Sequence, residues 1–257
     1  MKFWLAAALC LGLASPAAAA SDREPAPAGS FPGAPPQFTK FTADELTRGF
    51  LALAFGSDLR IGARPKGVRR FDRPIRAVVV GGGSVDRVPA MQRVLFEYGE
   101  KVPNLHLSVG GAVDGAEITV RLIDEKNFGA ALEAAFGREV ARAFVAKTDP
   151  QCMTNVQSDP EGRIIHSESF IIVDKGDDVF LDCAYHELLH AFGLSNHDQR
   201  NPWTTLNQNR MVGYLSVYDR ALLTLLYDSR LSPGMTRDQV NVALPQVIRS
   251  LGLAGPK

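Results

Sequence analysis

Two histidines and a glutamate in the run His186-Glu187-Leu188-Leu189-His190 have the types and spacing of the zinc-hydrolase motif H-E-x-x-H. Residues four apart lie on one face of an α-helix, so both imidazoles can bind the same ion. Zinc accepts imidazole nitrogen, and a catalytic site keeps one coordination position for water. The motif therefore predicts a Zn²⁺ cofactor bound by His186 and His190, with Glu187 as the catalytic general base.

A third metal ligand is expected shortly after His190. The run continues through Gly193 in a way that resembles the metzincin zinc peptidases, whose pattern is H-E-x-x-H-x-x-G-x-x-H. The residue at the last position of that pattern is Asn196, and His197 and Asp198 follow it. Because imidazole is the better zinc ligand, the sequence favours His197, and Asn196 and Asp198 stay open as alternatives.

Two residues further along resemble parts of the segment that follows the zinc motif in metzincins. Met211 is the candidate for a methionine turn beneath the metal, and Tyr214 is a candidate to face the metal and stabilise an oxyanion. The competing interpretations are a methionine that fills the core and a tyrosine packed at the surface.

The zinc motif needs a helix to present it, and residues 180–192 have the pattern of one. Gly193 is suited to end this helix in a left-handed turn. An apolar stripe, on the side away from the motif, is formed by Leu181, Ala184, Tyr185, Leu188, Leu189 and Phe192.

The segments 50–55, 69–75, 183–196 and 226–236 resemble the bacterial domain-of-unknown-function family 2927, over residues 50 to about 248. Many members of that family have Glu and Gln in place of His186 and His190. They retain the equivalents of Cys183, Glu187, Gly193, Leu194 and Asn196. The resemblance implies a zincin scaffold that often lacks its metal ligands, and it implies no substrate.

The first twenty residues have the three parts of a secretory signal peptide. Lys2 is the positive start, residues 3–13 form a short apolar core, and Ala18-Ala19-Ala20 precedes an expected cleavage after Ala20. The apolar run is too short to span a bilayer, and no other long apolar stretch follows. We therefore expect a periplasmic or secreted chain with no integral membrane segment.

Export would remove Cys10 and leave Cys152 and Cys183. An even pair in an oxidising compartment predicts a disulfide, which would close a loop of about 31 residues. It would tie the start of the zinc-motif helix to the loop before it. The alternative makes Cys183, which lies on the same helical side as His186 and Glu187, a metal ligand or a redox thiol.

Basic and acidic residues are equally numerous, 28 of each, so no positive surplus favours nucleic acid or an anionic membrane. The cluster of Arg69, Arg70, Arg73 and Arg76 is interpreted as a solvated or ion-paired patch. We expect no nucleic-acid partner, a peptide or protein substrate, and a monomer.

Residues 21–40 are rich in Pro, Ala and Gly and are predicted to be a disordered tether. Residues 41–257 are predicted to form one α+β domain, whose first helix begins with a capping box at Thr42 and Glu45. Further strands are expected at 75–80, 106–109, 116–123 and 163–173, and further helices near 85–102, 130–146, 216–227 and 236–251. This order resembles a metzincin catalytic domain, a twisted mixed sheet with an active-site helix and C-terminal helices.

Two functions are compatible with these features. The first is a secreted or periplasmic zinc metallopeptidase in which Glu187 activates a water that attacks a peptide carbonyl. The second is a non-catalytic envelope binding module on the same scaffold, a pseudo-peptidase, which Asn196 at the usual ligand position and the ligand-poor relatives suggest. A non-peptide amidase is a weaker third possibility, because a fold alone does not fix a reaction.

Overall fold

The computed structural model describes residues 22–56, 66–148 and 150–254. The elements in chain order are β1 (Arg23–Glu24), β2 (Gln37–Phe38), α1 (Ala43–Phe55), β3 (Ile75–Val80), α2 (Val88–Lys101), β4 (Leu107–Val109), β5 (Ile118–Ile123), α3 (Glu125–Phe136), α4 (Arg138–Thr148), β6 (Cys152–Ser158), β7 (Ile164–Ile172), α5 (Asp177–Ala191), α6 (Val217–Leu226) and α7 (Arg237–Leu251). The predicted signal peptide lies outside the described residues. Within them, the helices are too short or too polar to cross a membrane.

Five strands of the described chain form one mixed sheet in the order β4-β3-β5-β7-β6. Neighbouring strands from β4 to β7 run parallel, whereas β6 pairs antiparallel with β7 at the edge. The helix α2 makes the crossover that the parallel β3–β4 pair requires. The predicted mixed sheet with flanking helices is therefore confirmed at the level of a mixed α/β architecture.

Alternating side chains of β7 divide the interior into two layers. Ile171 belongs to the large core on the α5 side, whereas Phe170 and Ile172 belong to a smaller cluster. Successive residues of a strand point to opposite faces, so both faces of this strand are covered. The smaller cluster is completed by Phe128 and Leu132 of α3.

The helix α5 is fixed to the edge of the sheet by covalent and polar links. The predicted disulfide is confirmed: Cys183 is bonded to Cys152 at the start of β6, with their Cα atoms 5.8 Å apart. The Ser167 hydroxyl of β7 donates to the carbonyl of Ala191 at 2.9 Å, so the last turn of the helix is held as well. The zinc motif therefore lies on a helix anchored near its middle and at its last residue.

Residues 22–40, which belong to the predicted disordered tether 21–40, are packed together with Phe41 against the domain instead. They contain the short antiparallel pair β1–β2, and the rings of Phe38 and Phe41 lie 5.8 and 5.4 Å from that of Trp203. The prediction weighed the Pro, Ala and Gly content and overlooked the aromatic residues, which bury enough apolar surface to offset the entropy of ordering the chain.

Two other predictions need correction. The single helix expected over 130–146 is two helices, α3 and α4, because Gly137 between them has a φ of 83°. The segment around Cys152, expected to be a loop, is the edge strand β6. Its mixture of polar and apolar residues is typical of an edge strand that is only partly covered, and it hides the strand pattern.

Candidate functional site

Three imidazole rings meet at one point beside α5. The Nε2 atom of His186 lies 2.9 Å from that of His197 and 3.1 Å from that of His190. The remaining pair, His190 and His197, is also separated by 3.1 Å. Among the described residues, these three form the one group of ligand-type side chains arranged closely enough to hold a metal ion.

The outer ring nitrogens of two of these histidines are hydrogen-bonded to backbone carbonyls. Nδ1 of His186 lies 3.0 Å from the carbonyl oxygen of Thr205, and Nδ1 of His190 lies 2.6 Å from that of Leu194. A carbonyl oxygen can only accept, so Nδ1 carries the hydrogen in a neutral ring. Each Nε2 is then left with an unshared electron pair directed at the other rings, which is the tautomer that a metal ligand needs.

The rings are kept neutral by their surroundings. Burial lowers the pKa of His186 to about 3, of His190 to about 4 and of His197 to about 2. The charges that neighbouring rings would carry lower the pKa of His186 and His197 further. At neutral pH the cluster is therefore three uncharged rings, the state in which imidazole binds a metal ion.

Glu187 lies between two of these histidines in the chain and is only 4% exposed. Burial, together with the charge of Asp182, raises the pKa of Glu187 to about 8, and a hydrogen bond from Thr154 opposes the shift. Its Oε2 atom is buried without a hydrogen-bond partner. Such an atom is rare in folded proteins and calls for an explanation other than packing.

The turn after α5 brings His197, rather than Asn196 or Asp198, to the other two rings. Gly193 has a φ of 119°, and a β-carbon there would collide with the carbonyl oxygen of Arg69. Asn196 is used elsewhere, because its Nδ2 donates at 3.0 Å to the carbonyl of Ala52 in the last turn of α1. The Ala52 carbonyl also accepts from the N–H of Gly56, and the next carbonyl, that of Leu53, accepts from the N–H groups of Ser195 and Asn196. These bonds hold Asn196 against the end of α1 and away from the histidines.

Two candidates in the following loop gain no support from their surroundings. The side chain of Met211 is 40% exposed, whereas a methionine turn beneath a metal would be buried. The hydroxyl of Tyr214 donates at 2.8 Å to the carbonyl of Pro35 in the N-terminal segment. It is therefore engaged outside the histidine cluster and is not available to an oxyanion.

A buried carboxylate that sequence reasoning missed holds the loop behind His186. Asp219 is fully buried and accepts hydrogen bonds from the hydroxyls of Thr204, Thr205 and Ser216 at 2.6 to 2.8 Å, and from the backbone N–H of Thr205 at 2.8 Å. The carbonyl of Thr205 accepts the hydrogen bond from Nδ1 of His186. The signal that the sequence offers is the spacing Ser216-x-x-Asp219, which is typical of a helix start and does not indicate the contact across the loop.

A family model described as protein of unknown function (DUF2927) matches residues 43–246. The match covers well over half of the chain. The chain belongs to the DUF2927 family. This confirms the resemblance found in the sequence, and a search of curated proteins finds no match.

The matched range of the DUF2927 domain contains the whole histidine cluster. It also includes both cysteines of the disulfide and the carboxylate of Asp219. The N-terminal segment 22–41 lies outside the match, although its Pro35 and two of its phenylalanines contact the loop that holds His186 in place. The domain as folded therefore begins earlier than the family match.

Arg69 of the DUF2927 domain lies in surroundings that the sequence did not predict. It was expected in a solvated or ion-paired patch, yet it lies half-buried beside the site, and its charge lowers the pKa of His190. Its Nε atom is buried and has no hydrogen-bond partner. Desolvation lowers the pKa of the Arg69 guanidinium itself.

A separate cleft of about 430 Å³ lies between the N-terminal segment and the helices α2 and α5. It is lined by Arg87, Glu97 and Tyr185, among others, and none of the three histidines borders it. The Tyr185 hydroxyl donates to Glu97 at 2.5 Å. Two of the polar groups that line this cleft therefore already bond to each other.

Proposed function

We propose that this DUF2927 protein is a zinc-dependent metallopeptidase that acts outside the cytoplasm. The observation that carries the proposal is the convergence of three neutral imidazole Nε2 atoms, 2.9 to 3.1 Å apart. The disulfide supports a location in an oxidising compartment, where such bonds form and persist. The mixed sheet with an antiparallel edge strand, and the glycine turn after the zinc motif, support a metzincin-like scaffold.

The donor set fits zinc. Tetrahedral zinc with Zn–N bonds of about 2.0 to 2.1 Å separates its nitrogen ligands by about 3.3 to 3.4 Å, a few tenths of an ångström more than in the histidine cluster. Three nitrogen donors with no carboxylate among them disfavour calcium and magnesium, which prefer oxygen ligands. Three protein ligands also leave a fourth position for water or substrate, as catalytic sites require.

The roles of the protein groups follow from their positions. A zinc ion held by His186, His190 and His197 would lower the pKa of a coordinated water and polarise the carbonyl under attack. Glu187 takes the proton from the attacking water and then delivers it to the leaving amine. The pKa of Glu187, about 8 beside neutral histidines, falls when a cation lies nearby, so the carboxylate is ionised when it acts as base.

The first test is the zinc content of the purified chain by mass spectrometry. We expect about one zinc per chain for the wild type and a loss of zinc in His190→Ala and His197→Ala. His166→Ala is the matched control, because that histidine lies on β7 with Nδ1 at 3.0 Å from the carbonyl of Ala116. Absence of zinc from the wild type after incubation with excess metal would overturn the proposal and favour the non-catalytic binding module.

The second test separates metal binding from chemistry. Glu187→Gln keeps the shape of the side chain but cannot accept a proton, so it should retain zinc and lose at least about 100-fold in peptide hydrolysis. Hydrolysis of a mixed peptide library is followed by mass spectrometry of the products. Wild-type rates in this variant, with zinc present, would show that Glu187 is not the base.

A further inference from the structure

Arg69 is joined to the zinc-motif helix through the turn that follows it. Its carbonyl oxygen lies so close to Gly193 that no side chain fits there, and this turn begins three residues after His190. The neighbouring residue is paired with β7, since Arg70 N–H donates to Gly162 and the Arg70 carbonyl accepts from Ile164. The backbone of Arg69 is therefore held rigidly beside the histidines.

The side chain of Arg69 lacks the partners that its neighbour has. A single Nη atom of Arg70 donates to the carbonyls of Leu226, Asp228 and Leu231 at 2.8 to 3.0 Å. By contrast, Nε of Arg69 is buried with no partner, and no ion pair of Arg69 occurs among the described residues. The difference indicates that Arg70 is structural, whereas the Arg69 guanidinium is left open.

An open, partly desolvated guanidinium beside a hydrolytic centre is costly for folding and for metal binding. Its charge repels a cation at the histidines, which disfavours metal binding. Its partial desolvation costs free energy on folding. Glu187 does not relieve this charge, because its Oε2 atom is equally unpartnered. The terminal nitrogens of Arg69 are not among the buried atoms, so they are the part of the guanidinium that a molecule entering the site can reach.

The arrangement of donors indicates what that molecule carries. The two terminal nitrogens of a guanidinium form a fork that matches the two oxygens of a carboxylate, and those of Arg69 bond to no described residue. An oxyanion at the attacked carbonyl is a single atom and would fill only one of the two donors. We propose that Arg69 binds a carboxylate of the substrate, so that the preferred substrates are peptides with an anionic group next to the bond that is cut.

This inference rests on the proposed peptidase function, and its test compares matched peptides. In the first pair, one peptide ends in a free carboxylate and the other in an amide. In the second pair, one peptide has an internal Glu and the other has Gln at the same position. For whichever acid is the true partner, Arg69→Gln should lower kcat/KM by about 10- to 100-fold, mainly through KM. Hydrolysis of the neutral peptide should stay within about 2-fold, and Arg69→Lys should restore part of the loss.

Arg73→Gln is the matched control, because Arg73 is exposed and its guanidinium bonds to the carbonyl of Ile165. It should leave both peptides of each pair unchanged. If wild-type protein cuts acid and amide at equal rates, or Arg69→Gln slows all four peptides equally in kcat, the carboxylate assignment is wrong although the peptidase function stands.

A readout without hydrolysis separates the two proposals. Calorimetry on metal-depleted protein should give an affinity for an acetylated dipeptide acid at least about 10-fold above that for its amide, and Arg69→Gln should abolish the difference. If wild-type protein hydrolyses nothing but this difference is found, the peptidase proposal fails and the carboxylate site stands. Equal affinity for acid and amide would overturn the carboxylate site.

Discussion

Asp219 is the residue whose substitution should most clearly separate folding from metal binding. In Asp219→Ala, the hydroxyls of Thr205 and Ser216 keep alternative acceptors, since they also bond to the carbonyls of Tyr214 and Trp203 at 3.3 and 3.0 Å. Two donors then lose their partner: the backbone N–H of Thr205 and the hydroxyl of Thr204.

An unsatisfied buried donor destabilises a protein by about 1 to 3 kcal/mol, so the variant should lose about 4 kcal/mol of unfolding free energy. Asp219→Asn can keep the bond from Thr205 N–H through its amide oxygen, and it should lose only about 1 kcal/mol. Loss of the Asp219 bonds should also displace the loop that contains Thr205. The carbonyl of Thr205, which accepts the hydrogen bond from Nδ1 of His186, would then move. Zinc affinity should therefore fall by about 10- to 100-fold in Asp219→Ala.

Urea unfolding of metal-free protein measures the free energy of unfolding, and competition with a chelator measures the zinc affinity. Asp238→Ala is the control. Both aspartates lie in the first turn of a helix, but Asp238 of α7 is exposed, whereas Asp219 of α6 is buried. It reports only the helix-dipole contribution, about 0.5 kcal/mol. If Asp219→Ala differs from this control by less than about 1 kcal/mol, or binds zinc like wild type, the network does not support the site.

Two further predictions concern stability. Replacing Cys152 and Cys183 by Ser opens a loop with a sequence separation of 31 residues, which should lower the free energy of unfolding by about 3 to 4 kcal/mol; a change below about 1 kcal/mol in thermal or urea unfolding would contradict this. Burial raises the pKa of Asp182 from 3.8 to about 6, so the folded chain binds more protons than the unfolded one and loses stability as pH rises through this interval. Asp182→Asn, whose amide oxygen can still accept from the N–H groups of Val212 and Gly213, should be up to about 3 kcal/mol more stable than wild type at about pH 8 and within about 0.5 kcal/mol of it at about pH 4. Parallel urea curves for the two proteins across this pH range would show that Asp182 does not carry the dependence.

The features that sequence could predict are those encoded locally. The capping box of Thr42 and Glu45 marks the start of α1, and both of its hydrogen bonds are present. The zinc motif lies on a helix as its spacing requires, although α5 begins at Asp177, earlier than the apolar stripe indicated. Local periodicity and capping are sufficient for such elements because their causes lie within a few residues.

The features that sequence could not predict depend on contacts between distant segments. The direction of Asn196 is set by the end of α1, 144 residues earlier in the chain. The ordered structure of segment 22–41 depends on contacts with Trp203. The role of Asp219 depends on the loop that folds back over α6. A pattern within one segment does not record such partners, so the exposure of Met211 and the engagement of Tyr214 were also unpredictable.

The bond between Tyr214 and Pro35 joins positions 179 residues apart, and the Tyr218 hydroxyl reaches the carbonyl of Glu45 across 173 residues. Closing loops of this length loses chain entropy that only the completed fold regains. The loop that places the Thr205 carbonyl against His186 is therefore among the high-contact-order parts of the molecule. A folding intermediate with its sheet formed but its ends unjoined would carry the zinc-motif helix without the finished geometry of the three histidines. The proposed zinc site would therefore be completed only in the last steps of folding.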